Sequence, residues 1–321
     1  MDQKAKLRFA VLLILIISAR AVSFGAALSA AQDKAKSMSH ADDTLDVRAI
    51  VPRAVMFREV PGRGLLIKTW VNGVGPFSFA IDTGAGATLL SSRVAGEAQV
   101  KIKSGRATSI AGLSGLSTSA QTAMISSMAI GDGENYLPAK GLVMVTSGLP
   151  REIDGALDPT EALWPLGYVI DLPRGELSAF DPRDMPLQLD AQSTEGAVVS
   201  WLRESHGRRP FVLLDNGDRA LLDTGSTLGL AIKDRDQSNQ RISGYAVRDV
   251  GGGRISARRA RPSTIAIGSL TLRNIPTDVI SGAEANAPVL LGLNALRPFR
   301  LRFDPLHHLI EITPVANGQK R

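Results

Sequence analysis

Two copies of one tripeptide, Asp82-Thr83-Gly84 and Asp223-Thr224-Gly225, stand 141 residues apart in a chain of 321. Each closes an apolar run, Phe79-Ala80-Ile81 in the first and Ala220-Leu221-Leu222 in the second, and a small residue follows each, Ala85 or Ser226. Random order at this composition would give roughly 0.1 copies of the triplet, so two copies are no accident. The echo extends into the flanks. PFSFAIDTGAGATLL at 76–90 is answered by DRALLDTGSTLGLAI at 218–232, and a Gly-rich stretch comes after each, SIAGLSGLSTS at 109–119 and DVGGGRIS at 249–256. Next come Ala129-Ile130-Gly131-Asp132 and Ala266-Ile267-Gly268-Ser269, and then Asp171 and Asp304, each six residues before an apolar residue, Leu177 or Ile310. The chain therefore reads as an internal duplication joined at residues 182–205.

The repeated unit reads as β. From Gly64 onward short apolar alternations are bounded by Gly, Pro, Asn and Asp, as in LLIKTWV, NGVGP and FSFAI. Strands are expected at 124–130, 142–145, 167–171, 177–180, 211–214, 219–222, 265–267 and 309–312, with short helices only at 160–163 and 295–296. With 44% hydrophobic residues the chain can bury a sizeable core. It contains no Cys, which excludes a thiol nucleophile, a Cys-ligated zinc or iron–sulfur cluster, and a lipidated N-terminal Cys.

The net charge of +6 points less to nucleic acid than it first suggests, because Lys4, Lys6, Arg8 and Arg20 lie in the first 31 residues and leave the remainder at +3. Aromatic residues make up only 5%, too few for a base-stacking groove, and no nucleic-acid partner is expected. Lys4, Lys6 and Arg8 followed by the ten-residue apolar run Phe9–Ser18 and small residues up to Ala31 read as a secretory signal peptide over 1–31. Ten apolar residues ended by Arg20 fall short of the ~20 a spanning helix needs. Export to the periplasm or medium is expected, with an uncleaved membrane anchor as the alternative. Residues 32–60 read as a linker, 61–181 and 206–314 as the two lobes, and 315–321 as a tail.

At these motifs the sequence resembles the aspartic proteases, and most closely the bacterial retropepsin-like branch with two lobes fused in one chain. The resemblance spans about residues 60–314 and implies an all-β fold: two pseudo-twofold-related, pepsin- and retropepsin-like β-barrel lobes with a cleft between them. It implies that Asp82 and Asp223 meet as one catalytic unit that activates a water for peptide hydrolysis, with neither metal nor cofactor. Two carboxyls at such range share a proton, because both cannot ionise together. Thr83 and Thr224 would bond across the lobe interface, and Gly84 and Gly225 would let backbone approach the carboxyls. Hydrophobic-hydrophobic-Gly segments would pack beneath the dyad, Ala156-Leu157 in lobe one and Leu290-Leu291-Gly292 in lobe two. The flap of the family corresponds to 110–119, with Ile110, Gly112, Leu113 and Gly115, where Gly112 and Gly115 would permit the turn. Gly251-Gly252-Gly253 would form a second flap, which retropepsin dimers have and pepsin lacks. Neither stretch contains Tyr. The implied partner is a peptide or unfolded protein bound as an extended strand, and one chain carries both half-sites, so a monomer suffices.

Three departures stand out. Asp158 occupies the place of the lobe-one Gly, and Gly86 and Gly229 replace the usual residues after the triplets. Asp158 is the feature that favours the alternative of a catalytically weak, peptide-binding relative. The remaining signals read as structural. His40, His206, His307 and His308 read as loop residues; VGGGR at 250–254 lacks the ending of a phosphate loop; Arg254, Arg258, Arg259 and Arg261 form a solvated hairpin face; and Trp70, Trp164 and Trp201 read as core anchors.

Overall fold

The structure is a computed structural model that describes residues 10–11, 16–17, 48–105, 107–138, 141–189, 196–204, 208–234 and 244–315. Most of the signal-peptide reading, residues 32–47 of the linker, and His40 and His206 lie outside these residues, as does the tail beyond Val315.

The alternating segments form three large sheets. One of eleven strands draws its body from the first half, and one of eight strands from the second. A third sheet, of six strands, takes Gly167–Asp171 and Glu176–Phe180 from the first half and Phe299–Asp304 and Leu309–Pro314 from the second. Tyr168 pairs with Phe303 across the join and stacks on its ring at 4.6 Å, so the halves share one buried aromatic layer. The fold is all-β, with two halves welded through this shared sheet.

The internal echo is geometric as well as textual. Gly131 and Gly268 both take positive φ, at 77° and 58°. Asp171 Oδ1 accepts from Arg174 N at 3.0 Å, and Asp304 Oδ1 accepts from His307 N at 2.9 Å, three residues on in each case. These are side-chain caps on equivalent turns.

Several elements differ from the sequence expectation. Val55–Met56 and Arg58–Val60 are strands inside the stretch read as linker; Val55 is buried and pairs with Leu177, because the edge of the six-stranded sheet is open there. Ala197–Ser200, inside the expected join, pairs with Leu309–Pro314 at the opposite edge. The expected strand at 124–130 is two strands, Ser117–Met124 and Met128–Ile130, and Asn72 accepts from Ser126 N at the break. The helices at Pro159–Ala162 and Leu293–Leu296 are joined by a third, Ser92–Glu97, whose N-cap Ser91 accepts from Val94 N. Of the tryptophans only Trp201 is a core residue. Trp70 and Trp164 are half-buried, and the Arg208 guanidinium lies 3.9 Å over the Trp164 ring at the surface. Among the described residues no helix is long and apolar enough to cross a membrane.

Candidate active site

Each Asp-Thr-Gly triplet sits where a strand ends against a parallel neighbour. Val74–Ile81 runs parallel to Gly155–Leu157, with Leu157 beside Ile81, and Leu157 O accepts from Asp82 N at 2.9 Å. In the second half Arg219–Asp223 runs parallel to Val289–Gly292, and Gly292 lies beside Asp223. Ala156, Leu157, Leu290, Leu291 and Gly292 are all buried, so both triplets rest on dry, well-packed floors. Gly292 must be glycine. A Cβ there would lie 2.8 Å from Ser226 O and would press on Leu228 O as well.

The two triplets then lock together. Thr83 N donates to Thr224 Oγ1 and Thr224 N donates to Thr83 Oγ1, both at 3.1 Å. Each hydroxyl also reaches through to the opposite strand: Thr83 Oγ1 donates to Leu222 O at 2.7 Å, and Thr224 Oγ1 to Ile81 O at 3.0 Å. Four buried backbone groups thus take a partner from the other half of the molecule. The glycines complete the fit, since a Cβ on Gly84 would stand 2.8 Å from Asp223 Oδ1 and one on Gly225 2.6 Å from both Asp82 carboxyl oxygens.

This arrangement brings Asp82 and Asp223 face to face with no solvent exposure. Gly84 N donates to Asp82 Oδ1 at 2.9 Å, and Gly225 N and Ser226 N donate to Asp223 Oδ1 at 2.9 and 3.1 Å. The Oδ2 atom of each is buried and has no partner among the described residues. Burial first, then the charge of Asp223 and that of Asp158, hold the Asp82 carboxyl well above the usual carboxylate range. Burial pushes Asp223 up to about 7, opposed by its two backbone N–H groups and by the Arg209 guanidinium. Two such carboxyls titrate as a pair and share one proton. Arg209, paired to Glu204 at 2.6 Å, carries no motif of its own, and the sequence shows no sign of its place near Asp223; Ser226 adjoins its triplet, and the structure adds that its N–H bonds Asp223.

The departures have local causes. Gly86 takes φ of +71°, and at Gly229 a Cβ would overlap Pro276 O, so the backbone requires glycine at both. Asp158 is buried and accepts from Thr160 N at 2.9 Å, capping the helix Pro159–Ala162; burial and then the charge of Glu161 raise it to about 7. The Gly-rich stretches form one hairpin per lobe, Thr108–Ala111 with Ser117–Met124 and Tyr245–Arg248 with Arg254–Arg259. Gly115, Gly251 and Gly252 supply positive φ at the tips, at 73°, 87° and 80°. Gly112 does not. Its role is close approach, since a Cβ there would overlap the Asp249 carboxyl. Ile110 and Leu113 are fully buried, and Gly253 is buried beside Ser114. His307 differs from a plain loop histidine, its Nδ1 lying 2.8 Å from Asp304 Oδ2. Arg259 pairs with the buried Asp278 at 3.2 Å, so the Arg face is anchored on one side. Among the described residues no three His, Asp or Glu side chains converge as a metal site would require.

No curated protein sequence matches the chain. Residues 67–155, which hold the first triplet, match the family described as aspartyl protease. Among solved structures, the crystal structure of aspartic proteinase from Irpex lacteus is similar, with 13% identity, a TM-score of 0.56, and coverage of 84% of this chain and 98% of that one. At that identity the likeness speaks for the fold, and the fold of this chain is the two-lobed β fold of a pepsin-like aspartic proteinase.

Proposed function

We propose that the protein is an aspartic-type endopeptidase in which Asp82 and Asp223 activate a water against a peptide bond. One observation carries the reading: two carboxyls from opposite halves are gripped into contact by reciprocal Thr and Gly interactions, each with Oδ1 tied down and Oδ2 left without a partner. The ionised member of the pair accepts a proton from water as its oxygen bonds to the carbonyl carbon, and the protonated member gives its proton to the carbonyl oxygen. On collapse the carbon–nitrogen bond breaks, the first carboxyl delivers its proton to the leaving nitrogen, and the second regains one from the hydroxyl that becomes the new carboxyl. The substrate is an extended, unfolded segment. Support comes from the outer edges of both hairpins, which already take up strands: Ala10–Val11 pairs with 247–248 and Ile16–Ile17 with 110–111.

Twin Gly-rich hairpins support the single-chain retropepsin-like branch, and two half-sites in one chain make a monomer sufficient. The basic and apolar character of the first 31 residues supports export; N-terminal sequencing of protein recovered outside the cytoplasm checks this by finding the cut near Ala21 or Ala31. For the chemistry, Asp82→Asn and Asp223→Asn should each abolish cleavage of an unstructured protein while leaving the chain folded. Cleavage by the double variant at the wild-type rate would falsify the assignment. A second reading, peptide capture without turnover, has Asp158 as its motive, and that residue serves as a helix cap. A diverse peptide pool incubated from acid to neutral pH separates the two, new termini marking hydrolysis and retained intact peptides marking capture.

A further inference from the structure

The two hairpins exchange anchors. Leu113, from the lobe-one tip, is fully buried in a lobe-two cluster with Leu228, Val247 and Ile255. Val250, from the lobe-two tip, is fully buried in a lobe-one cluster with Leu66, Leu89 and Ile110. Apolar burial is non-directional, so these anchors attract the tips without fixing their register. Polar contacts fix it. Leu113 O accepts from Glu284 N at 2.8 Å, Gly148 O accepts from Gly251 N at 3.2 Å, and Asp249 Oδ2 accepts from Ser114 N at 2.7 Å. Of these only the last uses a side chain. Asp249 is 3% exposed, and its second oxygen is buried without a partner among the described residues. Glycines of both tips clear its path: a Cβ on Gly112 or on Gly253 would overlap the carboxyl group. Carving such a cradle from both lobes is costly unless the group placed in it does something that backbone alone cannot.

We propose that Asp249 is a positioning residue which clasps the lobe-one hairpin tip, through the Ser114 amide, to the lobe-two hairpin, and so sets how the pair of hairpins grips a peptide. This rests on the reading of the dyad as a peptidase site, although the clasp itself exists without substrate. Asp249 touches neither dyad member and is outside the Asp-Thr-Gly machinery. Its acceptor oxygen is what matters, so an amide should serve almost as well as a carboxylate, and a methyl group should not.

The test uses the full chain with Asp249→Ala, Asp249→Asn and, in case the alanine variant does not fold, Gly253→Ala, whose Cβ would wedge the tips apart. Amide hydrogen exchange at Ser114 in the substrate-free protein should accelerate about tenfold or more in Asp249→Ala and in Gly253→Ala, and stay within about threefold of wild type in Asp249→Asn. With an unstructured protein as substrate, KM should rise about tenfold in the alanine variants while kcat changes less than about threefold, and Asp249→Asn should restore KM. Unchanged Ser114 exchange in a folded alanine variant overturns the clasp, as does a loss carried by kcat alone. Absence of any Asp82-dependent cleavage in the wild type would retire the peptidase reading while leaving the exchange result to stand.

Discussion

Thr83 and Thr224 each satisfy one backbone N–H and one backbone C=O of the opposite half, so their contributions are not independent. Removing either hydroxyl strands a buried N–H, at a cost of about 1–3 kcal/mol per group. Thr83→Ala and Thr224→Ala should each lower the unfolding free energy by a few kcal/mol in denaturant titration, and the double variant should lose clearly less than the sum. Asp158 gives a test of opposite character. Its carboxyl is held at about 7 by burial, far above the roughly 3.9 of an unfolded Asp. A raised carboxyl favours the fold while it is protonated, and that advantage disappears as pH climbs through the folded value. Asp158→Asn should therefore match the wild type in melting temperature near pH 4 and exceed it at pH 8. That Asp82, Thr83 and Gly84 meet their counterparts 223–225 could be read from the sequence because the triplet recurs as a unit. The pairing of Asp249 with Ser114 could not, because a contact across 135 residues leaves no local signature.

At the scale of elements, the hairpin tips are where a single side chain matters most. Leu113→Ala should cost about 2–5 kcal/mol by emptying a site in the other lobe's core, whereas Leu116→Ala, at a position 52% exposed on the same turn, should be nearly silent. Chemical denaturation of both variants checks the contrast. Most strands could be read from their alternation, and Gly167–Asp171 falls where the pattern puts it. The helix Ser92–Glu97 could not, since six residues with an internal Gly show no stripe and its only mark is the Ser91 cap. The pairing of Ala197–Ser200 with Leu309–Pro314 was equally hidden, because alternation says which face is buried and nothing about which strand lies alongside.

For the molecule as a whole, the proposed peptidase would carry both half-sites in one polypeptide and lack the concentration dependence of an obligate dimer. Specific activity should hold constant on dilution through the nanomolar range, and sedimentation at the same concentrations should report the active species as a single chain. The pH profile should fall on the alkaline side as the shared proton is lost, and burial, which raises both carboxyls above the usual range, moves that limb upward. Duplication could be read from the repeated motifs, but the six-stranded sheet that welds the halves is visible only in three dimensions. Fusion has a further result. The floor of one triplet carries Asp158 where the other carries Gly292, a difference that two identical subunits could never sustain. A palindromic enzyme cannot tell the two ends of its guest apart; on the peptidase reading proposed above, the inequality inherited with this chain would give a bound peptide one direction.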